Sequence, residues 1–330
     1  MLVGIAISRV TALDATWTTV HVARALLARG HQVRFIETWD FEVDARGQLT
    51  ARTHAIDPPE IGADAIVRRL HRRQAARRYL RVDTLDLLLL RASPLEAGLL
   101  AFAAMAQDRG VPVVNPPAAM TQVSHKAWLA GLKDVPTPQT LVTRSPGSGL
   151  LFYEKLRRPV IVKPARGSGG HMVQLVRRRD PQGFATAFQE AGMRSEHVVV
   201  QAYLEEATEG EKRLVWMDGD VLGAYLRRRA EGEFRHNLSQ GGTPEPTVVT
   251  DAEKAVVARL SPHLRRAGIR IAGLDLIGQH VVEVNAVNPG GAFYADLLHG
   301  TDVAGSIVER LEAGIAQQRS RGDAWERHVP

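Results

Sequence analysis

Short apolar segments alternate with helix-like segments over the first 120 residues of the chain. The strand-like segments cover residues 2–7, 32–36, 85–90 and 111–114. Helical spacing of apolar residues covers 18–27 and 97–106. Strands that are apolar throughout and separated by helices are typical of a parallel sheet covered on both faces. The sequence therefore predicts an open parallel α/β sheet in this part of the chain.

The residues that follow Pro136 show a different pattern, in which turn-forming residues and short strand-like runs predominate. Five Pro and Gly residues mark turns between Pro136 and Gly149. Strand-like runs then cover 160–162, 172–176, 198–203, 214–217 and 221–226, and a helix-like segment covers 252–267. Asp218-Gly219 is a hairpin signal between the last two of these strands. The second part of the chain is therefore predicted to be a mixed α+β region.

Several classes of protein are disfavoured by composition. The 330 residues include no cysteine, which excludes disulfides, thiol catalysis and Cys-ligated metals. No apolar run approaches the roughly 20 residues of a membrane span. The N-terminus lacks the positively charged lead of a secretion signal, so we expect a cytoplasmic protein that does not bind membranes. No Gly-rich dinucleotide signature follows the first strand, which disfavours a nicotinamide enzyme.

The charge balance is weakly basic, with 42 Lys and Arg against 36 Asp and Glu. Seven of the arginines lie in residues 66–81. At helical spacing they would form a solvated face beside a modest apolar stripe. Tyr79 is the single aromatic residue of this segment, so stacking against bases is not indicated. Nucleic-acid binding is the least favoured reading, and we expect no nucleic-acid partner.

Residues 273–285 read as a hairpin whose register can be tested by arithmetic. If residues 278–280 form a three-residue loop, Asp275 lies opposite Glu283 and Gly273 lies opposite Asn285. The other face is then apolar, with Leu274 opposite Val284 and Leu276 opposite Val282. A two-residue loop would place one of the two carboxylates in the core, which is costly. The three-residue register is therefore predicted.

Two carboxylates and an amide on one strand face form a set of oxygen ligands. Such a set suits Mg²⁺ that is held together with substrate phosphates. An ordinary polar hairpin face is the alternative, because Asp, Glu and Asn are common on exposed strand faces. This segment alone leaves the two readings open.

Lys163 ends a strand-like segment just before a glycine-rich loop at residues 165–170. Glycine lets backbone N–H groups approach an anion closely. The Gly-Lys-Ser/Thr ending of a P-loop is absent, and a plain flexible hairpin is the alternative. A lysine, a phosphate-binding loop and a metal-binding hairpin together are the parts needed to bind a nucleoside triphosphate during phosphoryl transfer.

The chain resembles the ATP-grasp ligases, and among them the bacterial glutathione synthetases. The clearest stretches lie between residues 85 and 289. The motifs, in the order of the family, are Arg91-Ala-Ser-Pro94, Val113-Val-Asn-Pro116, Lys126, Pro138 to Arg144, Gln201-Ala-Tyr-Leu204, Gly210-Glu-Lys-Arg213, Arg235-x-Asn237 with Gly241-Gly242, Gly273-Leu-Asp275 and Glu283-Val-Asn285. The resemblance implies an ATP-grasp fold preceded by an N-terminal α/β domain.

The resemblance also implies roles for individual residues. The nucleotide would be bound by Lys126, Lys163, Gly167, Ser168, Gly169, Gly170, Gln201, Ala202, Tyr203, Leu204 and Lys212. Mg²⁺ would be held by Asp275, Glu283 and Asn285. The reacting carboxylate and the transferred phosphoryl group would face Arg228, Arg235 and Asn237. The acid or amine substrate would contact Asp14, Thr16, Arg91, Arg213, Gly290 and Gly291. Strand alternation leaves open which of Arg227, Arg228 and Arg229 points inward.

By the same resemblance, the chain would be an ATP-dependent carbon–nitrogen ligase. It would use ATP with one or two Mg²⁺ ions, for which Mn²⁺ could substitute. ATP would activate a small-molecule carboxylate as an acyl phosphate, and an amine would then attack this intermediate. The predicted divisions are an N-terminal substrate-side domain (1–120), a lid subdomain (121–196) and a C-terminal subdomain with the metal site (197–330). Self-association into a homo-oligomer is open.

The sequence departs from glutathione synthetases after Asn285. It reads Ala-Val-Asn-Pro-Gly-Gly-Ala-Phe-Tyr, whereas the family usually carries Ser-Pro and a Thr-Cys-Ile-Arg-like acceptor loop. Three alternatives to glutathione synthesis therefore stay open: a ligase for another amino acid or peptide, a ligase for a protein tail like that of a ribosomal protein, and a noncatalytic ATP-binding regulator.

Overall fold

The computed structural model describes residues 1–59, 61–167 and 169–325, and side chains as far as residue 320. The chain forms two compact units. Unit 1 contains residues 1–119, 268–271 and 287–330, and unit 2 contains residues 120–267 and 272–286. The division into three domains at residues 120 and 196 stays a prediction.

The secondary structure alternates along the chain. The strands are β1 (Leu2–Ile7), β2 (Gln32–Glu37), β3 (Phe41–Val43), β4 (Leu49–Ile56), β5 (Ala76–Arg81), β6 (Leu87–Leu90), β7 (Val113–Val114), β8 (Thr140–Thr143), β9 (Val160–Pro164), β10 (Gln174–Val176), β11 (Val198–Ala202), β12 (Glu211–Met217), β13 (Asp220–Arg228), β14 (Thr243–Glu245), β15 (Ile271–Ile277) and β16 (His280–Asn285). The helices are α1 (Thr18–Ala28), α2 (Ala63–His71), α3 (Ala97–Asp108), α4 (Pro117–Val123), α5 (Ala127–Ala130), α6 (Pro146–Leu156), α7 (Pro181–Arg194), α8 (Asp251–Arg266), α9 (Ala292–His299) and α10 (Val303–Trp325).

Unit 1 is built on a sheet whose central strands are parallel. The order is β3-β4-β2-β1-β6-β7, with β5 paired to the free side of β4. β1 pairs in parallel with β2 and β6, and β6 with β7. All four leucines of β6 are buried, as expected of a strand covered on both faces. The predicted α/β fold is confirmed, with the addition of an antiparallel extension made by β3, β4 and β5.

The Arg-rich segment at residues 66–81 is only partly helical. α2 ends at His71, and β5 begins at Ala76 as an exposed edge strand. The expectation of one continuous helix is therefore wrong for residues 76–81. The reason is that β4 offers these residues a full antiparallel ladder, which overrides a spacing that fits a helix. Arginines on the edge strand keep it solvated.

Unit 2 contains two further sheets. One has the order β10-β9-β11-β8 and packs on α6 and α7 around a core that includes Tyr153, Phe184 and Phe188. The other has the order β14-β13-β12-β15-β16. α8 begins with a capping box between Thr250 and Glu253, which satisfies backbone donors at its N-terminus. No helix in the described residues is both long and apolar enough to cross a membrane.

The β15–β16 hairpin keeps the predicted pairs near its open end and changes the register near its turn. Asp275 lies opposite Glu283, and Gly273 opposite Asn285. However, Leu276 pairs with Val281 and not with Val282, because a bulge follows Asp275. The loop therefore consists of Gly278 and Gln279 alone. A bulge adds one unpaired residue, so a two-residue turn coexists with both carboxylates on one side of the ladder.

Candidate functional site

One cavity of unit 2 brings together most of the predicted residues of that unit. Its wall includes residues from β9, β11, β12 and the β15–β16 hairpin. The predicted residues that line it are Lys126, Lys163, Gly167, Gly170, Gln201, Ala202, Tyr203, Leu204, Arg235, Asn237 and Glu283. The cavity therefore combines cationic, apolar, backbone and carboxylate groups, as a small-molecule site requires.

Lys163 lies on the floor of this cavity. Strand β9 pairs with β11, which places Lys163 opposite Val199, and the Lys163 Nζ donates a hydrogen bond to Gln201 Oε1 at 3.1 Å. The side chain is 9% exposed. Burial lowers the pKa of Lys163, and Lys126 lowers it further, against the opposing effect of Glu283. A buried ammonium group in this position would be stabilised by an added anion.

Lys126 links the glycine loop to the acidic hairpin. Its Nζ donates a hydrogen bond to the Gly167 carbonyl oxygen at 3.0 Å and forms an ion pair with Glu283 Oε1 at 3.2 Å. Its backbone N–H donates to the Ala165 carbonyl oxygen at 3.0 Å. The same lysine therefore contacts both structures that the sequence assigns to phosphates and metal.

The glycine loop approaches residues 235–237 without room for a side chain. Arg235 Nη1 donates to the Gly170 carbonyl oxygen at 3.2 Å. A Cβ atom on Gly170 would lie 2.5 Å from Asn237 Oδ1, and the Gly170 φ of 72° is also left-handed. Glycine is therefore required at Gly170 both for the backbone and for the close approach. Ser168 lies outside the described residues.

Asp275 is the centre of a buried network of charges. Arg213 donates through Nε at 2.5 Å and Nη2 at 2.9 Å, and Arg227 Nη2 donates at 2.5 Å. Asn285 Nδ2 donates to Asp275 Oδ2 at 2.9 Å. Burial alone would raise the pKa of Asp275, but the two guanidinium groups outweigh burial and hold it far below its usual range. The carboxylate is therefore ionised.

Glu211 is a member of this network that sequence reasoning missed. It lines the cavity, and its carboxylate forms an ion pair with Arg227. Burial raises its pKa to about 7, against the opposing effect of Arg227. The signal was available in the Gly210-Glu-Lys-Arg213 motif, where alternation along β12 places Glu211 and Arg213 on the same face.

Among the described residues, the predicted residues of unit 2 that do not line the cavity are Gly169, Lys212, Arg213, Arg228, Asp275 and Asn285. Lys212 points to the other face of β12, where its Nζ donates to Glu253 Oε2 and to the Val248 carbonyl oxygen, both at 2.9 Å. Arg228 is exposed and pairs with Glu245. The inward residue of the arginine triplet is Arg227, so the choice of Arg228 is corrected by one position. Gly169 is not among the residues that line the cavity, and its carbonyl oxygen accepts from Ser239 Oγ at 3.4 Å.

The predicted substrate residues of unit 1 fall into two groups. Arg91 is buried, and it donates to Thr19 Oγ1 at 3.1 Å and to the Pro289 carbonyl oxygen at 2.8 Å. Burial lowers the pKa of Arg91 to about 9, and within the described residues no carboxylate pairs with it. Gly290 and Gly291 follow Pro289 directly.

Asp14 and Thr16 form an exposed turn of their own. The Thr16 N–H and Oγ1 donate to Asp14 Oδ1 at 2.8 and 2.6 Å. These bonds lower the pKa of Asp14. The turn fixes the position of an ionised carboxylate in the loop between β1 and α1.

The family of the chain follows from its match to known sequences. A sequence model of the ATP-grasp domain of prokaryotic glutathione synthetase matches residues 126–297, which hold every cavity-lining residue named above. The chain belongs to the prokaryotic glutathione synthetase ATP-grasp family. It is accordingly an ATP-grasp ligase that uses ATP, as the resemblance implied.

Individual relatives agree with this assignment. The chain is 31% identical to a glutathione synthetase of Citrobacter rodentium over 243 residues, which cover 72% of this chain and 76% of the relative. It is 32% identical to that of Escherichia coli O6:H1 over 216 residues, covering 64% and 67%. The solved structure of the D-cycloserine synthetase DcsG is similar with a TM-score of 0.65 at 16% identity, covering 94% of this chain and 99% of that one. The ATP-grasp fold is thus confirmed.

Proposed function

We propose that this protein is an ATP- and Mg²⁺-dependent carboxylate–amine ligase that forms an amide or peptide bond through an acyl phosphate. The observation that carries the proposal is the placement of Lys126 and Lys163 beside Glu283 in one cavity of unit 2. Two ammonium groups and a carboxylate-bearing hairpin match the charges of a triphosphate and its metal ion.

The residues of the hairpin fit a magnesium ion by their chemistry. Asp275 and Glu283 offer carboxylate oxygens, and Asn285 retains its amide oxygen because its Nδ2 is the atom bonded to Asp275. These hard oxygen donors are those that Mg²⁺ prefers. When bound, the ion would neutralise charge on the phosphates. Arg213 and Arg227, which donate to Asp275 in this structure, would compete with the ion for the oxygens of that carboxylate.

The remaining residues supply binding and positioning. Gln201, Ala202, Tyr203 and Leu204 would hold the adenine, and the two lysines would hold the phosphates. Arg235 and Asn237 would face the transferred phosphoryl group under the glycine loop. The γ-phosphoryl group moves to a substrate carboxylate, and an amine then displaces phosphate. No protein nucleophile is needed, because catalysis rests on positioning and neutralisation of charge.

The substrate acid and amine are proposed to be glutathione synthetase-like, that is, amino acids or short peptides. The burial of Arg91 supports the proposal that an anionic group of the substrate binds at unit 1. Among the described residues no carboxylate pairs with this guanidinium group, and an anionic substrate group would stabilise it. The residues after Asn285 differ from those of glutathione synthetases, so the amine is the part of the assignment most open to change.

Release of ADP from a panel of acid and amine pairs tests the proposal. The full chain is mixed with ATP, Mg²⁺ and each pair, beginning with γ-glutamylcysteine and glycine. Turnover with a different pair would revise the substrates only, while no turnover with any pair would favour a noncatalytic ATP-binding protein. Glu283→Gln should abolish ADP release. The matched control is Glu245→Gln, which removes an exposed carboxylate paired with Arg228.

The glycine loop can be tested separately with two matched substitutions. Gly170→Ala and Gly232→Ala impose similar strain, since their φ angles are 72° and 77°. Only Gly170→Ala meets Asn237, whereas a Cβ on Gly232 has no described atom within 4 Å. We expect Gly170→Ala to weaken ATP binding more than its control does, because the added Cβ must displace the Asn237 side chain. Equal ATP affinities would remove the loop from the nucleotide site.

A further inference from the structure

A second cluster of ionisable side chains lies in unit 1. Glu37 is the last residue of β2, Asp40 lies in the turn that follows, and His54 lies on β4 opposite Phe35. One ligand atom from each of the three side chains lies within 4.8 Å of the other two. All three residues are buried, with His54 only 1% exposed. The cluster occupies the carboxyl end of a parallel strand, where ligands of open α/β sheets commonly bind.

The hydrogen bonds of this cluster are poorly satisfied. His54 Nε2 lies 2.9 Å from Arg77 Nη1, a donor, and 3.4 Å from Glu37 Oε2, an acceptor. Either tautomer therefore leaves one of these contacts mismatched. Within the described residues, His54 Nδ1 and Asp40 Oδ2 have no hydrogen-bond partner. Buried polar atoms without partners are uncommon, and each calls for an explanation such as an ion.

The positive partners of the cluster are loosely held. Arg52 Nε lies 3.5 Å from Asp40 Oδ1, and Arg77 Nη1 lies 3.6 Å from Asp40 Oδ2. Both arginine side chains are 56% exposed. They can therefore turn into water at little cost, because exposed ion pairs contribute little to stability.

We propose that Glu37, Asp40 and His54 bind one divalent transition-metal ion, with Arg77 displaced into solvent when the ion enters. Two carboxylates and one imidazole suit Zn²⁺, Co²⁺, Mn²⁺ or Fe²⁺ more than Mg²⁺, which takes oxygen ligands. Three protein ligands leave a coordination position for water or for a small ligand. Glu37 is already oriented, since its Oε1 accepts from the Val10 N–H at 2.9 Å.

The proposal is tested by titrating Co²⁺ and Zn²⁺ into full-length protein that has been stripped with a chelator and contains no nucleotide. Isothermal titration measures affinity and stoichiometry, and the visible spectrum of bound Co²⁺ reports the ligand field. Every measurement is made in a Glu283→Gln background, so that the hairpin of unit 2 does not contribute. If Co²⁺ does not bind to the protein in this background, the proposal is overturned.

Substitutions within the cluster give opposite expected results. His54→Gln should weaken Co²⁺ binding by more than about tenfold, since even partners of metal ligands are worth about 10–100-fold. Arg77→Gln should tighten binding, because the guanidinium group competes with the ion for the same acceptors. If Arg77→Gln weakens binding, or if His54→Gln leaves it unchanged, the cluster is only an ion-pair network. If the His54→Gln variant does not fold, the Arg77→Gln variant alone distinguishes a metal site from an ion-pair network.

Discussion

Asp275 in unit 2 and Asp40 in unit 1 are both almost completely buried, at 2% and 3% exposure, yet their pKa values move in opposite directions. Burial raises the pKa of Asp40, and Arg77 and Arg52 do not overcome it. Burial acts in the same sense on Asp275, but Arg213 and Arg227 overcome it. Equal burial therefore does not fix the charge of a carboxyl group.

The difference lies in the arginine partners. The side chains of Arg213 and Arg227 are only 11% and 5% exposed, and they donate hydrogen bonds to Asp275 at 2.5 to 2.9 Å. The arginines near Asp40 are more than half exposed and lie at 3.5 and 3.6 Å. Charges interact strongly only where water is excluded from both partners. The charge of Asp275 is thus balanced by arginines that water hardly reaches, whereas the charge of Asp40 is balanced only by arginines that are more than half exposed.

The largest expected effect is on stability after removal of each carboxylate charge. Asp275→Asn leaves two buried guanidinium groups without their main partner, which should cost about 3–5 kcal/mol. Asp40→Asn should cost about 0–1 kcal/mol, because its partners can be solvated. The midpoint of urea unfolding measures both. Equal losses in the two variants would remove the distinction between the regions.

A smaller effect is expected at two adjacent arginines. Arg227→Met should cost about 1.5–3 kcal/mol, since it leaves charged acceptors underpaired while Asp275 keeps Arg213. Arg228→Met should cost less than about 1 kcal/mol, because its pair with Glu245 is exposed. Arg227→Met should also reduce ADP release, and Arg228→Met should not. Loss of ADP release in Arg228→Met alone would restore the role first predicted for Arg228.

A further expected effect is a pH dependence of opposite sign in the two regions. The raised pKa of Glu211, about 7 against 4.5, means that the folded protein binds the proton more tightly. Its contribution to stability is complete below pH 4.5 and is lost as the pH rises to about 7. Burial, followed by Arg77, lowers the pKa of His54 below 6.5. Its contribution is present above pH 6.5 and is lost as the pH falls.

Thermal unfolding between pH 4.5 and 7.5 checks these two signs. Relative to the wild type, Glu211→Gln should gain stability toward pH 7, whereas His54→Gln should gain stability toward pH 5. Parallel changes in the two variants would contradict the assignment of opposite shifts.

Much of the fold could be predicted from residue patterns, because the signals were local. Apolar strands such as β6 and the Asp218-Gly219 turn between β12 and β13 lie where the sequence indicates. The end of the Arg-rich helix could not be predicted, since β5 depends on pairing with β4, a partner more than twenty residues away. Long-range pairing leaves no periodic mark in a segment whose residues are nearly all exposed.

The site could be predicted where a local sequence pattern determines the position of a residue. Lys163 and the Asp275 to Glu283 pairing follow from a strand and a hairpin, and both lie as expected. The bulge after Asp275 was missed because the register arithmetic assumes a regular ladder, in which only a three-residue loop keeps both carboxylates on one face. Arg227 was missed because alternation determines which neighbours share a face, but not which face is buried.

The division of the chain into units has a practical consequence for cutting the protein. The polypeptide passes from one unit to the other after residues 119, 267, 271 and 286. Neither unit is therefore a continuous stretch of the gene, and truncation at any one of these points would leave at least one unit incomplete. The shortest continuous fragment that contains all of unit 2 would also carry residues 268–271, which belong to unit 1. Expression of unit 1 by itself would require a rearranged coding sequence or linkers that replace the excised residues.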